Sequence, residues 1–439
     1  MRIGFIATRL SGTDGVSLEV AKWARVLKRL GHETFYCAGE LGGYAVKGTL
    51  IPKMHFLNEE IQRINSRAFG SNADKEPHQL LDEIGLLANE LHEPIQQFIC
   101  DNHLDLVIIQ NAWAIPMNLP LGLCLTNLVA ETGIPVIAHH HDFYWERERY
   151  QANAFLDFLD TYFPPNLPSI RHVTINTIAQ NRLKGRRKID SLVIPNVFDF
   201  ATPPPVLDEY NRDFRQALGL TESTPFILQP TRVIQRKGIE TAIELVSRLG
   251  LSEPAPPVLG PQVQADHGGP GKRLFVTHSA GDEGSAYWHW VKREAHIMGV
   301  SLELIDHLMS DERKQVARKK TYSLADAYLN ADLVTYPSLY EGFGNALLEA
   351  VYYKCPVVVN RYPVYNSDIR PLGFQFIELD GFVDDRAVEQ SVQLIQSPKD
   401  VSVMVDRNFA IAREHFSLET LEIKLKQVLA SFQPSATGS

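Results

Sequence analysis

The segment YPSLYEGFGNALLEAVYYKCPVVVN, residues 336–360, sets two glutamates, Glu341 and Glu349, around a Gly-Phe-Gly turn. The apolar run DLVTYPS (332–338) leads into it and PVVVN (356–360) follows it, both with the composition of buried strands. Between them, ALLEAVYYK reads as a helix. Strand, loop, helix and strand in this order predict a parallel sheet with helices on its faces. Ligands of such sheets collect at the carboxyl ends of the strands, where loops meet helix N-termini. Gly342 and Gly344 let the backbone approach a ligand without steric cost. The amides that open the helix, Asn345 among them, favour an anion such as a diphosphate. Glu341 in the loop can accept from sugar hydroxyls, and Glu349, about one turn into the helix, can reach a ribose diol. The pair therefore describes a nucleotide-sugar site. A solvated loop acid beside an exposed helix acid explains the spacing equally well, so a second feature has to decide.

Outward from this stretch the same alternation fills the chain. RIGFIAT is a compact strand, SGTDG a turn, and VSLEVAKWARVLKRLG an amphipathic helix with Val16, Val20, Trp23, Leu27 and Leu30 at helical spacing. DLVIIQ (105–110), PVIAHH (135–140) and SLVIPNVF (191–198) are further buried-strand candidates. The proline-rich ATPPPVLDEY (201–210) reads as a linker. Beyond it come FILQPTR (226–232), RLFVTH (273–278) and SLELI (301–305). Two Rossmann-like α/β domains with a cleft between them are expected, at 1–200 and 201–412. Residues 413–439 are expected to form a C-terminal helix that crosses back to the first domain.

The deciding feature is LQPTRVIQRKGIE, where Arg232 and Lys237 follow the first strand of the second domain. Two cations in that loop can pair with diphosphate oxygens and neutralise a departing leaving group. An exposed basic loop is common, but two loops of one half-sheet, each suited to phosphate, favour the ligand reading.

Together these stretches resemble the retaining, GT-B-fold glycosyltransferases of family 4. The quoted segment is similar to that family's Glu-x7-Glu motif, and RVIQRKG to its Arg-x4-Lys clamp. LVIPNVFDF resembles its domain-boundary hinge, and RLSGTDGVSLEV its glycine loop after the first strand, with Asp14 where the first glycine is usual. The resemblance implies parallel sheets facing a central cleft, with Glu341 on the donor sugar and Glu349 on the ribose. It implies Arg232 and Lys237 on the diphosphate, with Gly342, Phe343, Gly344 and Asn345 forming the loop around it. Gly15 would border the diphosphate from the first domain, while Asp14 leaves that approach open and can instead face the acceptor.

In PVIAHHHDFYWERERY, alternation sends His139 and His141 to one face and His140 to the other. Two ligands on one face make a poor zinc site. The family carries a donor-facing histidine at the end of this strand, and His141 aligns with it best, with His140 the fallback. His141, Arg232, Lys237 and Glu341 are the candidate catalytic set. No two aspartates are separated by a single residue, so no Asp-x-Asp metal motif exists, and no metal or other cofactor is expected. Neither glutamate is assigned as a nucleophile.

For the acceptor, RLKGRRK (182–188) and WERERY bring together Arg182, Arg186, Arg187, Arg147 and Arg149. A solvated basic face is the plain reading, and a pocket for a phosphate or carboxylate on a small acceptor is the sharper one, with Asp14, Arg147, Arg149 and Arg182 as its candidates. The combination of TRLSGTDGVSLE, HHHDFYWERERY and VVNRYPVYNSDI resembles transferases that make charged solutes, such as sucrose-phosphate or mannosylglucosylglycerate synthases.

Bulk properties agree with this class. The 439 residues suffice for two or three domains, with 44% hydrophobic and 22% charged residues as in a globular protein. A net charge of −9 argues against a nucleic-acid partner. Four scattered cysteines, an N-terminus that turns polar early and no membrane-length apolar run point to the cytoplasm, without membrane contact. The expected activity moves a hexose from UDP-glucose or GDP-mannose to a small-molecule or glycan hydroxyl, with retention. A nucleotide-sugar epimerase or a non-catalytic nucleotide-sugar binder is the alternative.

Overall fold

The computed structural model describes residues 1–12, 14–44, 48–69, 77–151, 155–250, 272–280, 284–316 and 319–432. The chain divides into two compact units, Met1–Val197 with Leu418–Ser439, and Phe198–Ser417.

In the first unit, β1 (Arg2–Ala7), β2 (Glu33–Ala38), β3 (Gly48–Leu50), β4 (Leu106–Gln110), β5 (Val136–His140), β6 (Ile170–Thr174) and β7 (Ser191–Val193) form one sheet. The order is β3-β2-β1-β4-β5-β6-β7, parallel throughout. LVIIQ and VIAHH are buried along their whole length because helices cover both faces, which is why they read as continuous apolar runs rather than alternating ones. The order reverses between β1 and β4, and the crevice of such a sheet opens there. The helix Gly15–Arg29 buries Val20, Trp23, Val26 and Leu27. Onto the same core the last helix, Leu418–Ala430, lays Leu418, Leu421, Leu425 and Val428, each burial stabilising by about 2 kcal/mol.

The second unit repeats the architecture. Its strands β8 (Ile227–Gln229), β9 (Arg273–Val276), β10 (Ser301–Leu304), β13 (Leu333–Tyr336), β14 (Val357–Asn360) and β15 (Ile377–Leu379) are parallel, in the order β10-β9-β8-β13-β14-β15. A separate antiparallel hairpin pairs β11 (Lys314–Val316) with β12 (Lys319–Thr321). Here the order reverses between β8 and β13. Two parallel α/β sheets, each with one reversal, constitute the expected fold class. Among the described residues no helix is long and apolar enough to cross a membrane.

The boundaries differ from those read in the sequence. The first falls after Val197, because Phe198 donates its N–H to Phe416 O at 2.8 Å and packs on Tyr352 at 4.6 Å between ring centroids. The last falls after Ser417 rather than residue 412, since the helix Pro398–His415 runs on within the second unit. The proline-rich stretch is no loose linker. Tyr352 bonds Pro203 O at 3.2 Å, Arg313 grips Asp208 at 2.6 Å, and the Tyr210 hydroxyl reaches Lys314 O and Thr321 O at 2.9 and 2.7 Å. Proline fixed the local conformation there, but tertiary partners decided its attachment.

Candidate active site

In the second unit the loops after β8 and β13 lie side by side at the reversal of strand order. Leu339 N–H donates to Arg236 O at 2.8 Å. Gly238 adopts φ +62°, and a Cβ there would meet Pro337 O at 2.5 Å, so only glycine permits this approach. The junction brings Glu341 against the turn Gln235–Lys237. Its Oε1 accepts from Lys237 Nζ and its Oε2 from Arg236 Nη1 at 2.9 Å. Arg236 Nη1 also donates to Tyr340 O at 3.1 Å, and the Lys237 ammonium stands 5.6 Å from the centre of the Tyr336 ring. Glu341 is 7% exposed and Lys237 8%, so the pair interacts with little solvent screening. Burial alone would push the Glu341 carboxyl up, but the Lys237 and Arg236 cations outweigh it and hold it below the ordinary carboxylate value. Burial lowers the Lys237 ammonium; Glu341 opposes that, while Arg236 and Arg232 reinforce it.

The structure thus joins Lys237 to Glu341, as their loop positions allow. It places Arg232 on the surface and inserts Arg236, which the sequence reading passed over, as the second cation on Glu341. The available signal was its place beside Lys237 in RVIQRKG. Glu349, on the helix Asn345–Tyr352, accepts from the Tyr328 hydroxyl at 3.2 Å. Phe343 departs from a ligand-lining role for its side chain. Its ring is 2% exposed and packs edge-on against Phe416 at 5.2 Å, and its carbonyl accepts from Tyr362 at 2.7 Å. Anchoring Phe343 in the core fixes Gly342 and Gly344 on either side of it.

In the first unit, Asp14 is the N-cap of the helix that Gly15 opens. Its Oδ1 accepts from the amides of Val16 and Ser17 at 3.0 and 3.2 Å, and its Oδ2 from Ser17 Oγ at 2.8 Å and Arg9 at 3.2 Å. A resident carboxylate therefore already serves the amides that an anion beside Gly15 would use, and Asp14 is committed to the cap rather than turned to an acceptor.

His139 and His140 belong to the core. His139 stacks on Trp23 at 4.3 Å, and His140 bonds His172 at 3.0 Å on the other face, which removes His140 as the fallback. Gln110 Oε1 faces His139 Nδ1 at 2.9 Å and His141 Nε2 at 3.3 Å. One amide thus serves both rings, and the tautomer of each imidazole is set by which end of the Gln110 amide faces it. Burial pushes the His141 imidazole down to about 4, against the pull of Asp142 and Asp14, so it is neutral at physiological pH. Asn111, at φ +56°, orders the loop: its Oδ1 accepts from His141 N–H at 2.9 Å and its Nδ2 donates to Asp142 at 3.1 Å. Gln110 and Asn111 were missed in the sequence, where they only end an apolar strand.

The basic residues are internally engaged. Arg147 pairs with Asp142 at 2.5 Å, Arg182 with Glu146 at 2.5 Å, and Arg187 with Asp160 at 2.9 Å. Arg149 lies over the Tyr150 ring at 4.4 Å, and Arg186 over Trp145 at 5.5 Å. Arg147, Arg149, Arg182 and Arg186 are nonetheless exposed, so the structure holds a solvated basic face whose members each touch a neighbour.

The two switched parallel sheets and the strand-end loops define a GT-B glycosyltransferase. Residues 303–409 match the family described as Glycosyl transferases group 1, and the chain belongs to that family. It is 37% identical over 442 residues to the mannosylglucosylglycerate synthase of Thermotoga maritima, covering 96% of this chain and 98% of that protein. It is 33% identical to the enzyme of the same name from Petrotoga mobilis, covering 86% of each. The sucrose-phosphate synthase of Thermosynechococcus elongatus shares the fold, with a TM-score of 0.65 at 14% identity over 98% of both chains.

Proposed function

We propose that the protein is a cytoplasmic, metal-independent, retaining hexosyltransferase of glycosyltransferase family 4, which transfers mannose from GDP-mannose to a small acceptor bearing a carboxylate. The contact of buried Glu341 with Lys237 and Arg236 carries the reading, because it sets two cations around one carboxylate at the strand ends where a diphosphate belongs. Of the two donors considered, GDP-mannose is preferred because the product named for both relatives contains mannose. The glycerate in that name likewise favours an anionic acceptor.

In this mechanism Phe198–Ser417 holds the donor, with Glu349 on the ribose, Arg232 and Lys237 on the diphosphate and Glu341 on the sugar. Met1–Val197 with Leu418–Ser439 takes the acceptor. His141, in the first unit, is the candidate catalytic histidine and carries a neutral imidazole. The acceptor hydroxyl attacks from the face the nucleotide leaves and passes its proton to the departing phosphate oxygen. The cations stabilise the charge that develops there, so no carboxylate nucleophile and no divalent ion is required.

The test is incubation with GDP-mannose or UDP-glucose and glucosylglycerate, in EDTA, with the product analysed by mass spectrometry and proton NMR. An α-mannosyl product from α-linked GDP-mannose is expected. Inversion, or turnover that EDTA abolishes and a divalent ion restores, overturns the corresponding part. Donor conversion with no need of acceptor would favour an epimerase.

A further inference from the structure

We propose that Glu341 is a resident anion on the donor's phosphate cations, and that Arg236 is a further diphosphate-binding residue on which the two exchange. This rests on the nucleotide-sugar reading above and goes beyond it. In the free protein each Glu341 oxygen has its own cation, Lys237 on Oε1 and Arg236 on Oε2. The carboxylate side chain is 9% exposed, so it cannot leave those cations for water without a large cost. The Arg236 carbonyl and guanidinium both hold the opposite loop, at Leu339 N and Tyr340 O. The cation is thus fixed where it is rather than free to follow Glu341.

A diphosphate brings more negative charge than a carboxylate and can engage a guanidinium through two oxygens. It takes Lys237 and Arg236 and displaces Glu341, which then needs hydrogen-bond donors of its own. The hydroxyls of a bound sugar supply them. A nucleoside diphosphate without sugar also displaces Glu341 but offers it nothing, so the spent nucleotide is held less well than the donor. The ion pair therefore acts as a discriminator between donor and product.

Calorimetric titration with inorganic pyrophosphate, GDP, UDP and GDP-mannose tests the exchange in the wild type, Glu341→Gln and Arg236→Gln. Pyrophosphate makes the outcome independent of the base. Glu341→Gln is expected to bind pyrophosphate and the preferred diphosphate roughly tenfold tighter, while losing the preference for the sugar conjugate. Arg236→Gln, altered at a side chain only 37% exposed yet reaching the surface, is expected to bind pyrophosphate several-fold more weakly and with a flatter salt dependence. Pyrophosphate binding in Glu341→Gln no tighter than wild type overturns the resident-anion role. If that variant does not fold, unchanged pyrophosphate binding in Arg236→Gln overturns the exchange by itself. Should none of the three proteins bind any diphosphate, the nucleotide-sugar reading fails first.

Discussion

The Tyr362 hydroxyl donates to the Phe343 carbonyl at 2.7 Å, and it stands 2.6 Å from where a Cβ on residue 344 would lie. Gly344 also has φ +130°, outside the range that side-chain-bearing residues favour. Gly344→Ala is therefore expected to destabilise the protein by about 1–3 kcal/mol. Urea unfolding measures this, and Tyr362→Phe in the same chain should recover part of the loss by removing the clashing oxygen. A wild-type midpoint for Gly344→Ala would show that the loop yields.

Glu349 and Tyr328 make the next case. The carboxylate is held by a phenol whose own titration is pushed well up, first by burial and then by the Glu349 charge. If Glu349 binds the ribose diol, Glu349→Ala should weaken GDP and GDP-mannose alike, by about 1–3 kcal/mol for a charge-assisted hydrogen bond. Tyr328→Phe, which removes one hydrogen bond to the carboxylate and keeps the carboxylate itself, should cost much less. Loss of sugar-conjugate binding alone in Glu349→Ala would reassign it to the hexose.

The buried histidines predict an acid-labile first unit. Burial first, and neighbouring imidazoles second, push His139 and His140 well below their ordinary value of 6.5; His172 goes down to about 3, through burial and then Arg187. Since the unfolded chain titrates near 6.5, it binds more protons than the folded protein between that value and the depressed ones. Stability is full above about pH 6.5 and is lost as the pH falls, at up to about 1.4 kcal/mol per pH unit for each histidine. Melting temperatures between pH 7.5 and 5 should fall accordingly. His172→Asn should flatten the slope, and a pH-independent melting temperature would mean that the imidazoles stay solvated.

Arg147 and Arg182 separate acceptor binding from structure. Arg182→Gln removes an ion pair from the Glu146 carboxylate, which is 6% exposed, and is expected to cost about 1 kcal/mol of stability with acceptor kinetics unchanged. Arg147 shares Asp142, the neighbour of His141, so it is the arginine best placed to turn to a carboxylate. Arg147→Gln should raise the acceptor KM tens-fold at saturating donor, because a bidentate guanidinium contact is lost, and leave donor binding intact. An unaltered acceptor KM would place the acceptor's anion elsewhere.

Much of this protein was determined by its sequence alone. DLVIIQ, PVIAHH and PVVVN each carry an unbroken apolar run because parallel strands are covered on both faces, so they could be located without coordinates. The glycines before NALLEA and the cations of RVIQRKG marked two strand-end loops, and the chain's place among the glycosyltransferases followed from them. Asp14 ahead of Gly15 is likewise a local signal, a helix cap whose partners lie two and three residues on. What only the tertiary structure decided is which side chain answers which. That Arg236 shares Glu341, that Gln110 serves two histidines, and that Tyr362 closes over Gly344 depend on partners 19 to 105 positions apart in sequence. Periodicity and turn chemistry are local, and sequence records them directly. The partner of a buried polar group is set by sheet order and register, which bring distant residues within hydrogen-bond distance and leave no local trace in either one.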